Sequence, residues 1–170
     1  MTNNRSQEAI DVFHTIDKPN EVILILILNA CLRLKTPQAL QLIKTIDINM
    51  PESYRNHPRL NVSLLDALIK SGQSNRAEQI FERSQKSVIA YGTMINGFNL
   101  IGQPEKALNL FNQMINDSIK PNSVVYLCVI KTLAEFGDLS LSTMIVDQMP
   151  DIHFHDESIR NALIDMWVRI

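Results

Sequence analysis

Apolar residues recur at helical spacing through the middle of the chain, in two stripes separated by a short polar gap. The first stripe follows the i, i+3, i+4, i+7 spacing of one helix face. Its members are Tyr91, Met94, Ile95 and Phe98. The second stripe consists of Ala107, Leu108, Leu110, Phe111 and Met114. The pattern predicts a helix–turn–helix unit with roughly 13 residues in each helix.

Residues that start and stop helices stand at the edges of both stripes. Gly102 can adopt the left-handed conformation that ends the first helix. Pro104 fits the first turn of the second helix, and Glu105 interacts favourably with the helix dipole there. Lys120-Pro121 is expected to stop the second helix.

The unit is repeated along the chain. Gly72, Gly102 and Gly137 stand at the same point of three similar segments, 30 and 35 residues apart. A period in this range indicates repeats that cannot bury their own apolar faces and therefore stack on one another. The chain divides into units 21–57, 58–87, 88–122 and 123–156, with partial units at 1–20 and 157–170. Because both ends fall within a unit, we expect the chain to be a fragment of a longer array.

One apolar run has an ambiguous local preference. Val22–Leu28 reads VILILIL, which favours a strand locally but is far shorter than the roughly 20 residues of a membrane span. Pro37 follows it at the position that Pro104 occupies in a later unit. We therefore predict that residues 22–28 begin a buried first helix.

The segment from Val88 to Asn122 resembles a pentatricopeptide repeat. The resemblance extends over the following positions: Tyr91, Gly97, Gly102, Ala107, Leu108, Phe111, Met114 and Ile119-Lys120-Pro121. A tetratricopeptide repeat is the nearest alternative, but its first helix requires Trp and Leu-Gly, which are absent here. Other units resemble long and short variants of the pentatricopeptide repeat, a mixture found in the subclass whose members often end in a cytidine-deaminase-like domain.

The resemblance implies an all-α, right-handed α-solenoid that binds single-stranded RNA, about one base per unit. In this family, the fifth residue of the first helix and the last residue of the unit together select the base. The corresponding pairs are Val62 with Ser87, Gly92 with Asn122, Leu127 with Asp156, and Ile25 (or Leu24, if the register shifts by one) with His57; Asn161 has its partner beyond the chain. Among the first members, only Asn161 is a usual hydrogen-bonding reader, so weak sequence selectivity is expected.

Charge is distributed unevenly along a chain whose net charge is −2. Unit 58–87 has five basic residues against three acidic ones, whereas unit 123–156 has one lysine against five carboxylates. Candidate contacts to the RNA backbone therefore lie in the first half: Arg59, Lys70, Arg76, Arg83 and Lys86, together with Arg33 and Lys35. The alternative is that these side chains solvate outer helix faces.

No catalytic motif is evident in the sequence. The deaminase signature (His-x-Glu followed by Pro-Cys-x-x-Cys), a phosphate-binding glycine loop and His-Glu-x-x-His are all missing. His153 and His155 lie close to Asp151 and Asp156, but the segment is interpreted as an inter-helix loop and not as a metal site. Cys31 and Cys128 are expected to be buried thiols, as in a reducing compartment. We expect no cofactor, metal, membrane or small-molecule substrate.

Two functions are compatible with these features. The first is single-stranded RNA binding within an RNA-processing or RNA-modification factor, such as one for C-to-U editing. The second is a protein-interaction scaffold that keeps the helical array without base readers.

Composition is that of a globular intracellular chain, 45% hydrophobic and 20% charged. The start has neither an apolar core nor an arginine-rich, acid-free stretch, so no targeting peptide is expected within it. A mitochondrial location rests on the family resemblance alone.

Overall fold

The computed structural model describes residues 2–170, with side chains from Arg5 onward, and contains no strand over that range. The α-helices are α1 (Thr2–Phe13), α2 (Glu21–Leu34), α3 (Pro37–Asn49), α4 (Glu52–Arg55), α5 (Pro58–Lys70), α6 (Ser74–Arg83), α7 (Val88–Leu100), α8 (Pro104–Asn116), α9 (Ser123–Phe136), α10 (Leu139–Asp147) and α11 (Glu157–Arg169). A 3₁₀ turn, Asp151–His155, precedes α11. The prediction of an all-α protein built from helical hairpins is confirmed. The exact unit boundaries stay a prediction.

The helices form two compact units, one ending at Lys86 and the other beginning at Ser87. In the first unit, α2 packs against α1, α3 and α5, while α5 packs against α3, α4 and α6. Its core includes the following side chains, each with 0–1% of its surface exposed: Leu28, Ile43, Leu60, Leu64, Leu65, Leu68, Ile69 and Phe81. Each such side chain contributes about 1.5–3 kcal/mol through burial, so this core stabilises the unit.

The second unit is organised around α7 and α9, which pack against each other. α8 packs against both, whereas α10 and α11 contact α9. The core includes Tyr91, Met94, Ile95, Phe98, Met114, Val129, Leu133 and Met166. Both predicted apolar stripes therefore face this core, and the two helices that carry them are each 13 residues long, as expected.

The VILILIL run lies in a helix, as predicted. Its helix, α2, buries Leu24, Ile27 and Leu28, because neighbouring helices cover it on several sides. Asn20 caps the start: its Oδ1 accepts a hydrogen bond from the Ile23 amide at 2.9 Å. Tertiary packing thus overrides the local strand preference. Among residues 2–170, no helix combines the length and hydropathy needed to cross a membrane.

The predicted helix ends are correct at Gly102 and wrong at Lys120. Gly102 has φ +68°, and Pro104 stands in the first turn of α8, as expected. However, α8 ends at Asn116, before Lys120-Pro121 is reached. The chain turns instead at Ser118, a non-glycine residue with φ +57°, and the Ile119 amide donates to the Met114 carbonyl at 3.0 Å. This backbone bond completes the helix end without the proline.

Helix α10 contains a buried hydroxyl at the position where α8 has Ala107. Ser142 is 0% exposed, and its Oγ has no hydrogen-bond partner. Because an unpaired buried hydroxyl retains its desolvation cost, Ser142→Ala should raise the free energy of unfolding by about 1 kcal/mol. Urea titration checks this. Ser140→Ala, at an exposed position of the same helix, is the control and should change stability by less than about 0.5 kcal/mol. Equal effects of the two variants would contradict the prediction.

Candidate nucleic-acid interface

The fifth residues of the first helices are predominantly half-buried. Val62 in α5, Gly92 in α7 and Leu127 in α9 are each partly covered, whereas Asn161 in α11 is exposed. At Gly92, an added Cβ would lie 3.3 Å from Cγ2 of Val125 in α9. The missing side chain therefore permits close approach of α7 and α9, which is a packing reason for glycine at this position.

The last residue of each complete unit caps the next helix. The accepting atoms are Nδ1 of His57 for the Leu60 amide (3.3 Å), Oγ of Ser87 for Ala90 (3.2 Å), Oδ1 of Asn122 for Val125 (3.0 Å) and Oδ1 of Asp156 for Ser158 (2.9 Å). These hydrogen bonds fix the side chains at the helix N-termini. Each of these predicted base readers therefore already accepts one hydrogen bond from a backbone amide. A base would have to bind the remaining donors or lone pairs of the same side chain.

Gly92 and Asn122 both lie next to Val125. A Cβ at Gly92 would touch Val125, and the amide of Val125 donates to Asn122. The geometry therefore places both members of this predicted pair beside the first turn of α9.

A set of exposed aliphatic side chains was missed by the sequence reasoning. The second residue of a first helix is Val22 in α2, Ile89 in α7 and Val124 in α9, and these are 56%, 67% and 63% exposed. Each lies three residues before the fifth position, hence on the same helix face. An apolar residue at this position in three of the first helices was the available signal. Such side chains can pack against the flat face of a nucleobase.

Arg76 is bound to a buried carboxylate of the same unit. Its Nε lies 2.6 Å and its second guanidinium nitrogen 3.1 Å from the two Oδ atoms of Asp47. The side chain of Asp47 is 6% exposed and that of Arg76 is 36% exposed. Hydrogen bonding to Asp47 raises the pKa of Arg76 above its ordinary value. The pair joins α3 to α6, so Arg76 has a structural role in this unit.

The other cations predicted to contact the RNA backbone lie partly on first helices and partly on second helices of their hairpins. Arg59 and Lys70 lie on the first helix α5, and Lys70 pairs with Asp66 at 2.7 Å. Arg83 is exposed near the end of α6, a second helix. Lys86 donates to the Phe81 carbonyl at 2.5 Å and lies 3.8 Å from the centroid of the Phe81 ring. Exposed Arg33 on α2 and Arg59 on α5 are thus the arginines on first helices of this unit.

The histidine segment serves a packing role. The loop interpretation was incomplete, because residues 151–155 form a 3₁₀ turn. His153 Nδ1 lies 2.9 Å from Ser123 Oγ, and its ring centroid lies 4.8 Å from that of Tyr126. These contacts hold the turn against α9. In the part of the chain that the structure describes, no three His, Cys, Asp or Glu side chains come together as a metal site.

Both cysteines are buried and unbridged, as predicted. Burial raises the pKa of Cys31 to about 11 and also raises that of Cys128, so both thiols are protonated at neutral pH. The Cys128 carbonyl accepts a hydrogen bond from Asn99 Nδ2 at 2.9 Å, and Thr132 Oγ1 donates to Asn99 Oδ1 at 2.7 Å. This polar contact fixes α7 relative to α9, the helices that carry Gly92 and Leu127.

Two regions of the chain match family models. Residues 86–135 match the model of the PPR repeat family, and residues 62–87 match the PPR repeat model. Among solved structures, the crystal structure of the pentatricopeptide repeat protein PPR10 in complex with an 18-nt psaJ RNA element has a TM-score of 0.67. The two sequences are 20% identical, and the match covers 94% of this chain and 24% of that chain. This likeness shows the fold.

Similar proteins from Arabidopsis thaliana have related names. Pentatricopeptide repeat-containing protein At4g30700 is 28% identical over 165 residues, covering 94% of this chain and 20% of that protein. Pentatricopeptide repeat-containing protein At4g19191, mitochondrial, is 31% identical over 139 residues, covering 78% of this chain and 21% of that protein. The chain thus spans about a fifth of the length of these two relatives. With its repeated hairpins, matched models and shared fold, this chain belongs to the pentatricopeptide repeat family.

Proposed function

We propose that this chain binds single-stranded RNA on the exposed face of its first helices. The observation that carries the proposal is the repeated exposure of an aliphatic second residue, at Val22, Ile89 and Val124. Single exposed aliphatic side chains are normal on protein surfaces, but here one recurs at the same point of three first helices. Every nucleobase has an apolar face that such a side chain can cover. The capping residues stand at the N-terminal ends of these helices, and in the proposed complex they would meet the edge of a base.

Affinity would come from the RNA backbone and from stacking, with little base selectivity. Arg33 and Arg59 are exposed on first helices of the first compact unit and would bind phosphates there. Val62 and Leu127 have no polar group to read a base edge, and Gly92 has no side chain. Asn161 is exposed with its amide available for such contact.

The names of similar proteins support RNA as the ligand and a mitochondrial location. PPR10 is described in complex with an 18-nt RNA element. Relatives such as At4g31070 and At4g19191 are named as mitochondrial. We propose further that this chain is part of an RNA-processing or RNA-modification factor, such as one for C-to-U editing, as the family resemblance implies; the names of these relatives support a mitochondrial location. The repeats would supply binding, while any catalytic group would lie outside residues 1–170.

A protein-interaction scaffold is the second candidate, favoured by the second unit. Ile89, Leu100 and Val124 are each 63–67% exposed on α7 and α9. Exposed apolar side chains of this kind also mark protein interfaces. With five carboxylates against one lysine in residues 123–156, this part of the chain is poorly suited to a polyanion.

RNA binding is tested by fluorescence anisotropy with a randomised single-stranded RNA pool over a salt series, beside duplex RNA and single-stranded DNA. Reversing two first-helix charges, Arg33→Glu with Arg59→Glu, should weaken binding on the order of tenfold and reduce the salt slope by roughly 1–2. Arg5→Glu with Lys44→Glu, at exposed positions on second helices, is the matched control. Arg76 is unsuitable for reversal because it neutralises buried Asp47.

The outcomes separate the two functions. Salt-dependent preference for single-stranded RNA, lost only in the first-helix variant, supports the RNA proposal. Equal losses in both variants would contradict the assignment of the first-helix face. Absence of binding by the folded wild-type chain at low salt would favour the protein scaffold.

A further inference from the structure

A pocket of about 410 Å³ lies in the first compact unit, between the end of α3, the short helix α4, and helices α5 and α6. Helices α1 and α2 come before these elements in the chain and α7 comes after them, so the pocket lies between described repeats. Among the described residues, three arginines line it, Arg55, Arg76 and Arg83, against one carboxylate, Glu52. A cavity of this size with a positive lining suits a small anionic molecule.

The walls of the pocket are held in place by the fold. One wall is a face of α6, and its residues there have the i, i+3, i+4, i+7 spacing of a single helix face: Arg76, Gln79, Ile80 and Arg83. On the opposite wall, Asn61 of α5 is 7% exposed and its Nδ2 donates to the Arg55 carbonyl. This hydrogen bond fastens the end of α4 to α5, so the segment that carries Arg55 has a fixed position.

Two of the three arginines are bound by carboxylates, and the third is available. Arg76 binds Asp47 through two of its nitrogens, at 2.6 and 3.1 Å. Arg55 Nε lies 3.2 Å from a carboxylate oxygen of Glu52, whose side chain is 89% exposed and is easily displaced. Within the described part of the chain, the guanidinium of Arg83 has no ion pair or hydrogen bond, and its side chain is exposed. The arginines therefore outnumber the carboxylates even when Asp47 is counted.

The type of anion follows from the chemistry of the guanidinium group, which binds oxyanions through paired N–H donors. A phosphate monoester carries a charge of about −2 at pH 7 and three acceptor oxygens, so it can bind more than one arginine at once. A carboxylate or an RNA phosphodiester carries less charge and offers fewer such oxygens. A lining of three arginines thus favours the monoester.

We propose that this pocket binds the phosphate group of a small phosphorylated molecule such as a nucleotide. Arg83 supplies the available cation at the exposed edge, while Arg55 and Arg76 supply cations whose positions are fixed by their partners. Arg55 lies on α4, and the other two lie on α6. None of the three stands on a first helix, so this site is separate from the face proposed for RNA.

The site is tested by titration calorimetry at constant ionic strength, with adenosine monophosphate as the probe. The wild-type chain should bind it at a 1:1 ratio, whereas adenosine, which lacks the phosphate, should not bind. Arg83→Leu should weaken binding on the order of tenfold, and Arg83→Lys should fall between, because lysine keeps the charge without the paired donors. Arg5→Leu, at an exposed position on α1, is the matched control and should change affinity by less than about twofold.

Removing the acid of the lining gives a result of opposite sign. Glu52→Gln should strengthen binding about threefold, because the side chain competes with the phosphate for Arg55. Circular dichroism verifies that each variant is folded.

Three outcomes would overturn the proposal. They are the absence of saturable binding by the folded wild-type chain, equal losses in Arg83→Leu and Arg5→Leu, and displacement of the probe by single-stranded RNA with a 5′-hydroxyl end. The last result would mean that the pocket takes backbone phosphodiesters. The proposed RNA face is tested separately by reversing Arg33 and Arg59, so either proposal can fail while the other stands.

Discussion

Replacing Arg76 with leucine should lower the free energy of unfolding by about 2–3 kcal/mol, since it leaves the carboxylate of Asp47 buried without its partner. The upper part of the range reported for buried pairs does not apply, because Arg76 is itself 36% exposed. Urea unfolding followed by circular dichroism measures the change. Arg83→Leu, on the same helix at an exposed position, should change stability by less than about 0.5 kcal/mol.

The double variant distinguishes loss of an ion pair from loss of packing. Asp47→Leu combined with Arg76→Leu leaves no buried charge, so it should be more stable than Arg76→Leu alone. If the stability lost in the double variant equals the sum of the losses in Asp47→Leu and Arg76→Leu, the two side chains act independently and the prediction is wrong.

A still larger loss is expected when Phe81 is replaced by alanine. The ring is 1% exposed on α6, which packs against α5. Removing it leaves a cavity and should cost about 3–5 kcal/mol, which will unfold a marginally stable chain.

Phe136→Ala is the control for this substitution. Phe136 is 39% exposed at the end of α9, so the same chemical change there should cost far less than the loss at Phe81. Thermal unfolding and urea titration measure both. Similar losses at the two positions would mean that the α5–α6 contact is not the main source of stability at Phe81.

Local sequence signals predicted the hairpins well. The apolar stripes of α7 and α8, Gly102 and Pro104 each act within one or two helical turns, and the structure has them as expected. The end of α8 was wrong because a backbone bond at Ile119 closes the helix before the proline. That bond depends on a non-glycine residue, Ser118, at positive φ, which sequence rules disfavour.

Long-range pairing could not be predicted in the same way. Asp47 and Arg76 are 29 residues apart, and nothing in either local segment identifies the other as partner. In the sequence, nothing distinguishes Arg76 from the other arginines. Its structural role, which Arg59 does not share, arises only when α3 and α6 pack together and bring Asp47 to Arg76. The contact of His153 with Ser123 is of the same kind.

The capping role of Ser87, Asn122 and Asp156 has a consequence for how this family diverges. Serine, asparagine and aspartate are favoured at a helix N-cap for stability alone. A repeat that stopped reading RNA would therefore retain a hydrogen-bonding residue there, while its fifth position drifted to residues such as Val62, Gly92 or Leu127. A polar side chain at the end of a repeat is thus explained by helix capping alone, so the proposed base reading is better tested by substitutions at the fifth position.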